Sequence, residues 1–188
     1  MSIRPPKAQS VTKQGADDGF VPPLAYLPQV LDGGYTRLLV SAPSGQLQAV
    51  HTALIGALKG PLKFRYVKLT DRQRGQLPQP ESYAAVELLP ERVISALQAN
   101  AELCYHDGRN QLWIQGALGE MVVLEEIGVV YVYPDDILFR EVLEGLGLVD
   151  ARHESMAERD YVKVNFAASA DAQEQALFQS LGLVRWEG

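Results

Sequence analysis

The stretch RLLVSAPSGQLQAVHTAL, residues 37–54, changes hydrophobic period in the middle. Residues 35–41 read as a strand. Residues 46–58 read as a helix with Leu47, Val50, Leu54 and Leu58 along one side. The turn between them, Ser41-Ala-Pro-Ser-Gly-Gln46, aims backbone N–H groups at whatever lies above it, the usual basis of anion binding at a helix start. Gly45 is its only glycine and it carries no lysine, so neither dinucleotide nor P-loop phosphate patterns are present. Ser44 reads most simply as an N-cap. The alternative is a small-ligand pocket built from Ser41, Ser44, Gly45 and Gln46.

Working outward, Gly60-Pro61 ends the helix and residues 63–69 form the next strand. DRQRGQLPQPES, residues 71–82, reads as a loop rich in turn formers. A strand over 83–89 precedes a helix over 91–99, with Pro90 in its first turn. Residues 102–106 and 111–115 suggest a hairpin around Asp107-Gly108. This order, β-α-β-β-α-β and one more strand, predicts an α+β fold whose first half is a ferredoxin-like split βαβ unit. Strands over 121–125 and 129–133, a helix over 137–146 capped by Asp135-Asp136, a strand over 161–166 and a helix over 170–181 continue it as β-β-α-β-α. Two helices end alike, in GLGLV and SLGLV. Gly147 and Gly182 sit at C′, with Leu148 and Leu183 supplying the apolar contact that follows. The strand-turn-helix VSAPSGQLQAVHTAL resembles the opening of small regulatory ACT domains, which implies an effector near such a turn. The resemblance is confined to that segment.

Upstream, residues 1–34 hold five prolines and close on Gly33-Gly34, predicting a flexible arm. Its apolar part, Phe20, Leu24, Tyr26, Leu27, Val30 and Leu31, is expected to dock on the domain over 35–188. Residues 116–119 are a plausible joint between subdomains 35–116 and 119–188.

The whole chain of 188 residues carries a net charge of −6, which weighs against a dedicated nucleic-acid binder. No run approaches the roughly 20 apolar residues of a membrane span, and the N-terminal stretch lacks the apolar core of a secretory signal. The expected location is the cytoplasm, with no membrane partner. A single cysteine excludes an internal disulfide and a multi-thiolate site.

Catalytic patterns are weak. On a predicted strand Glu102, Cys104 and His106 would share a face, but i, i+2 side chains point nearly parallel and do not converge on one reacting atom. His51 reads as a surface or boundary residue. His153-Glu154 lacks the second histidine of a zinc hydrolase. Helix capping explains Asp135-Asp136 more simply than a general acid/base pair or a hard-metal site does, and Glu125-Glu126 is a weaker metal candidate still. No catalytic residue, cofactor or metal is therefore assigned.

The strongest signal is basic. Lys59, Lys63, Arg65, Lys68, Arg72 and Arg74 cluster against Asp71 alone. In KFRYVKL, Lys63, Arg65 and Val67 would face one way and Phe64, Tyr66 and Lys68 the other. A protein partner or self-association through Lys63, Arg65, Lys68, Arg72 and Arg74 is the leading expectation, ahead of a small anionic ligand at 41–46. Nucleic acid ranks behind both, since no aromatic-rich RNA-binding signature accompanies the cations. The expected function is a non-catalytic interaction or regulatory domain.

Overall fold

The computed structural model describes residues 5–164 and 166–187. In chain order the elements are β1 (Ala8–Ser10), β2 (Ala25–Val30), β3 (Thr36–Ser41), α1 (Ser44–Ala57), β4 (Leu62–Asp71), β5 (Gly75–Leu88), α2 (Pro90–Ala99) and α3 (Ala101–His106). There follow β6 (Asn110–Gln115), β7 (Met121–Leu124), β8 (Val130–Tyr133), α4 (Ile137–Gly145), β9 (Val149–Asp150), β10 (Tyr161–Lys163), α5 (Ala168–Leu181) and β11 (Val184–Arg185). The fold is α+β. Nine strands form one sheet in the order β11-β5-β4-β6-β7-β8-β3-β2-β9, antiparallel except where β2 meets β9, and β1 pairs separately with β10.

Alternation along the strands divides the sheet into two faces. Leu38 and Val40, Phe64 and Tyr66, Leu112 and Ile114, Val122 and Leu124, and Val130 and Val132 point to the side where all five helices pack. There they meet Leu47 and Leu54 of α1, Val93 and Leu97 of α2, Leu103 of α3, Leu143 of α4 and Leu177 of α5. On the opposite side Leu39, Val123 and Tyr131 join Ala8, Ile127, Val129 and Met156, with Phe20 against them. The β3–β8–β7 part of that face is closed in this way by the N-terminal segment and residues near 156, and Trp113 of β6 packs at the cluster's margin.

The two matched helix endings form as their sequence predicts. Gly147 and Gly182 adopt positive φ of 84° and 69°, and the N–H groups of Leu148 and Leu183 reach back to Leu143 O and Phe178 O at 3.0 and 2.9 Å. Asp136 accepts from Leu138 N at 2.8 Å and caps α4.

Several expectations need correction. A split βαβ unit leaves one strand between β3 and β4, whereas β8, β7 and β6 all lie between them. Residues 102–106 are helical. Asn100 breaks from α2 at φ −116°, bonds Ala96 O through its side chain, and lets the chain re-enter a helix whose Leu103, Cys104 and Tyr105 are all buried. Five of its six residues are buried, and one short helix leaves too few exposed positions to reveal a helical period. Gly108 is not a hairpin glycine: a Cβ there would lie 2.5 Å from Lys7 O, so the position is set by close chain approach.

The stretch 71–82 is mostly strand, in a long β4–β5 hairpin. Asp71 Oδ1 accepts from Gln73 N and Arg74 N at 2.9 and 3.0 Å, and Gly75 takes φ 76°, so three residues reverse the chain. Pro78 and Pro80 fall where β5 has no ladder partner, a position that tolerates their missing N–H groups. Upstream, β2 is an integral strand between β3 and β9, with Pro28 opposite Leu38, and Lys7 is buried. Residues 116–119 form the turn of the β6–β7 hairpin, with Gly116 N bonded to Glu120 O at 2.8 Å. Of the predicted strand over 161–166, residues 161–163 form β10, and Asn165 lies outside the described residues, as do residues 1–4 of the predicted arm.

Candidate interaction surface

The sheet face away from the helices is built by register. Arg65 stands opposite Trp113 on one side and Ala84 on the other. Lys63 stands opposite Gln115, which stands opposite Met121. Phe64 and Tyr66 fill the helix side and are fully buried, so Lys63 and Arg65 face outward with Trp113. This matches the alternation read in KFRYVKL. Just beyond β11, Trp186 donates its backbone N–H to Ser82 O at 2.8 Å and brings its ring to the same place. Lys63, Arg65, Val86, Trp113, Met121 and Trp186 border a cleft of about 180 Å³. Both tryptophans of the chain therefore line one site.

The Arg65 guanidinium lies 5.8 Å from the Trp113 ring centroid, within cation–π range, and donates to Ser82 Oγ at 2.9 and 3.2 Å. Trp113 Nε1 donates to Gln111 Oε1 at 3.0 Å. Among the described residues neither Lys63 nor Arg65 pairs with a carboxylate. The cleft offers stacking surface, a methionine edge and two cations without acidic partners.

The rest of the basic cluster is neutralised internally. Lys68 pairs with Asp71 and Glu174 at 2.9 and 2.8 Å. Burial works against its charge, but those bonds outweigh it and hold its pKa above the ordinary lysine value. Arg72 meets Asp171 at 2.7 Å, and Arg74 meets Glu81 at 2.9 Å. The sequence shows Asp71 as the sole nearby acid; Glu81, Asp171 and Glu174 arrive through the fold. Of the five partner-binding candidates, Lys63 and Arg65 share the cleft, while Lys68 and Arg72 brace the hairpin against α5 and Arg74 ties the hairpin's two strands together.

The turn at 41–46 is arranged differently from the pocket its residues suggested. Pro43 holds the cap position and Ser44 is the first helical residue, so the N-cap reading of Ser44 is corrected. Pro43 O accepts from Gln46 N and Leu47 N at 2.8 and 3.0 Å. Ser41 is buried, its hydroxyl 2.8 Å from His153 Nε2. Gly45 is exposed and an added Cβ would meet nothing within 4 Å, so no close approach requires a glycine there. Gly45 borders a shallow groove between α1 and α2; Ser41 and Gln46 do not.

Helix α3 disperses the proposed trio. Glu102 and His106, four residues apart, border a cleft of about 690 Å³ beside Pro5 and Phe166, while Cys104 lies in the core. Glu102 accepts from Ser169 Oγ at 3.0 Å and His106 Nδ1 lies 2.7 Å from Pro5 O. Burial pushes the Cys104 thiol up to about 12, the reverse of what a nucleophile needs. Asp135 is held by Arg140 at 2.7 and 2.6 Å and Asp136 caps α4, so the acidic pair diverges. Glu125 and Glu126 follow β7, and Glu126 accepts from Gln111 Nε2 at 2.6 Å. Among the described residues no three His, Cys, Asp or Glu side chains gather as a metal site.

Three polar features escaped the sequence reading. His51 is wholly buried, not a surface residue. Its Nδ1 lies 3.1 Å from Tyr105 Oη, its Nε2 has no partner, and burial lowers its pKa to about 3. Lys7 is buried too. Its Nζ donates to Cys104 O at 3.0 Å and Asn110 Oδ1 at 3.2 Å, and burial lowers its pKa to about 8. Arg109 bridges Asp107 at 2.9 Å and Asp171 at 2.6 Å. No local pattern marks these residues as buried, because each is enclosed by segments distant in sequence. No family model matches the chain, and comparison with curated proteins and with solved structures likewise returns no match.

Proposed function

We propose that this chain is a non-catalytic protein-interaction module that binds through the Lys63–Arg65–Trp113–Trp186 cleft. The single observation carrying this reading is the asymmetry of the sheet. All five described helices pack on one face, and on the other, at the margin of the second cluster that Trp113 and Met121 border, aromatic rings and two cations without carboxylate partners stand together around an open cleft. Tryptophan and arginine are the residue types that most often dominate binding energy at protein interfaces. The net charge of −6 opposes acidic partners at long range, and Lys63 and Arg65 supply a local attraction for them at the cleft. The polar interior and the occupied acidic residues serve packing and capping, which accords with a binding role rather than a reaction.

The test is site-specific photo-crosslinking in the protein's own cells. A benzoylphenylalanine in place of Trp113 should give a discrete adduct that Arg65→Glu abolishes, and the same group in place of Gln48, on the helix side, should not. No adduct at 113, or the same adducts at both positions, would overturn the reading.

A further inference from the structure

We infer that the cleft takes an extended peptide with an acidic residue two positions before an aromatic one, which enters by replacing the chain's own residues 184–186 along β5. This rests on the interaction reading and specifies the partner's chemistry. The segment now in place supplies the template. Val184 lies opposite Ala84 and Arg185 opposite Tyr83, and the Trp186 N–H to Ser82 O bond extends the ladder. An antiparallel strand on the β5 edge therefore delivers every second side chain to the cleft, and Trp186 is the side chain delivered.

The hold on this segment is slight. β11 is two residues long, Val184 is 68% exposed and Trp186 48%. The last firm anchor is Leu183, nearly buried, whose N–H closes the α5 cap on Phe178 O. Gly182, in the left-handed conformation, marks where the chain leaves the helix. Everything after Leu183 can swing away without disturbing α5. Beyond the pair with β11, the outer edge of β5 has no ladder partner over residues 86–88, so an incoming strand finds more donors and acceptors than the resident one uses.

Charge decides the rest of the pattern. Lys63 and Arg65 lie on the floor of the cleft without carboxylate partners, whereas the other hairpin cations each have one. Position 184 stands opposite Ala84, which stands opposite Arg65, so an acidic residue two places before the aromatic anchor would meet these cations, and a basic one would be repelled.

The only tryptophans of the chain line the cleft, so intrinsic tryptophan emission reports on this site alone. The probe is the tryptophan-free peptide acetyl-Glu-Thr-Phe-Thr-Val-amide, with Glu in the register of Val184 and Phe in that of Trp186, titrated into the full chain beside its counterpart with lysine in place of the glutamate. The acidic peptide should change the emission saturably and the basic one should not. Trp186→Ala, or a chain ending at Leu183, should bind the acidic peptide roughly tenfold more tightly, because the resident segment no longer competes. Arg65→Glu should reverse the charge preference, with thermal melting confirming that each variant is folded. Equal response to both peptides, unchanged affinity after removal of Trp186, or a saturable response to a single-stranded oligonucleotide in their place would overturn the inference. A flat titration together with a persistent crosslink at position 113 would overturn this partner chemistry and leave the interaction reading standing; loss of both would remove the two together.

Discussion

His51 sets how the protein responds to acid. Its ring is completely buried between α1 and Tyr105, with Tyr105 at 5.7 Å in an edge-on contact and the Lys7 charge nearby. Burial chiefly, and the Lys7 charge secondarily, lower its pKa to about 3 from 6.5. Between those values the unfolded chain takes up a proton that the folded chain refuses, so stability falls as pH drops. The contribution is fully present above about pH 6.5 and is lost progressively toward pH 3. At about 1.4 kcal/mol per pH unit the whole window is worth about 5 kcal/mol, of which about 3 kcal/mol is gone by pH 4.5. Urea unfolding of the wild type and of His51→Leu at pH 7 and pH 4.5 isolates this share, since His106, His153 and every carboxylate are common to both chains. The variant should lose about 3 kcal/mol less than the wild type over that interval. Equal losses in the two chains would refute the reasoning, as would a His51 ring titrating near 6.5 in the folded protein by NMR.

Cys104 should resist alkylation at neutral pH and react at full rate only after unfolding in guanidinium, because its thiol is buried with a pKa near 12; reaction in the native state at the rate of a free thiol would contradict this placement. Arg109→Met should destabilise the fold by about 3–5 kcal/mol, because it strands the buried Asp107 without its partner, and chemical denaturation measures the loss. A loss below 1 kcal/mol would show that water reaches Asp107. Gly75→Ala should cost about 1 kcal/mol in the same assay, since φ 76° is left-handed and an added Cβ meets no neighbour that could offset the strain.

Legibility in the sequence followed the range of the interactions involved. The β4 alternation, the two glycine-ended helices and the Asp136 cap each depend on residues within a few positions, and each forms as its sequence predicts. The outward pair Lys63 and Arg65 was legible for the same reason. Residues 102–106 were not, because a six-residue helix in which Glu102 alone is not buried is too short to show a polar face from which to count a period. The 71–82 hairpin was hidden by Pro78 and Pro80, which mark a loop wherever β5 would need their N–H groups and are tolerated only because no strand pairs there. The site itself could not be read from any one segment. Trp113 comes from β6, Met121 from β7, Val86 from β5 and Trp186 from beyond β11, and nothing local links them. Besides Asp71, the acids that occupy Lys68 and Arg72 lie on α5, about a hundred residues from the basic run, and Glu81 reaches Arg74 only because the hairpin folds β5 back on β4. The fold thus turns a uniform row of cations into two groups, one bracing the hairpin and one beside the tryptophans. Arg72→Gln, which removes one half of an exposed ion pair, should therefore cost less than about 1 kcal/mol and leave binding unchanged, whereas reversing Arg65 alone should abolish binding at unchanged stability.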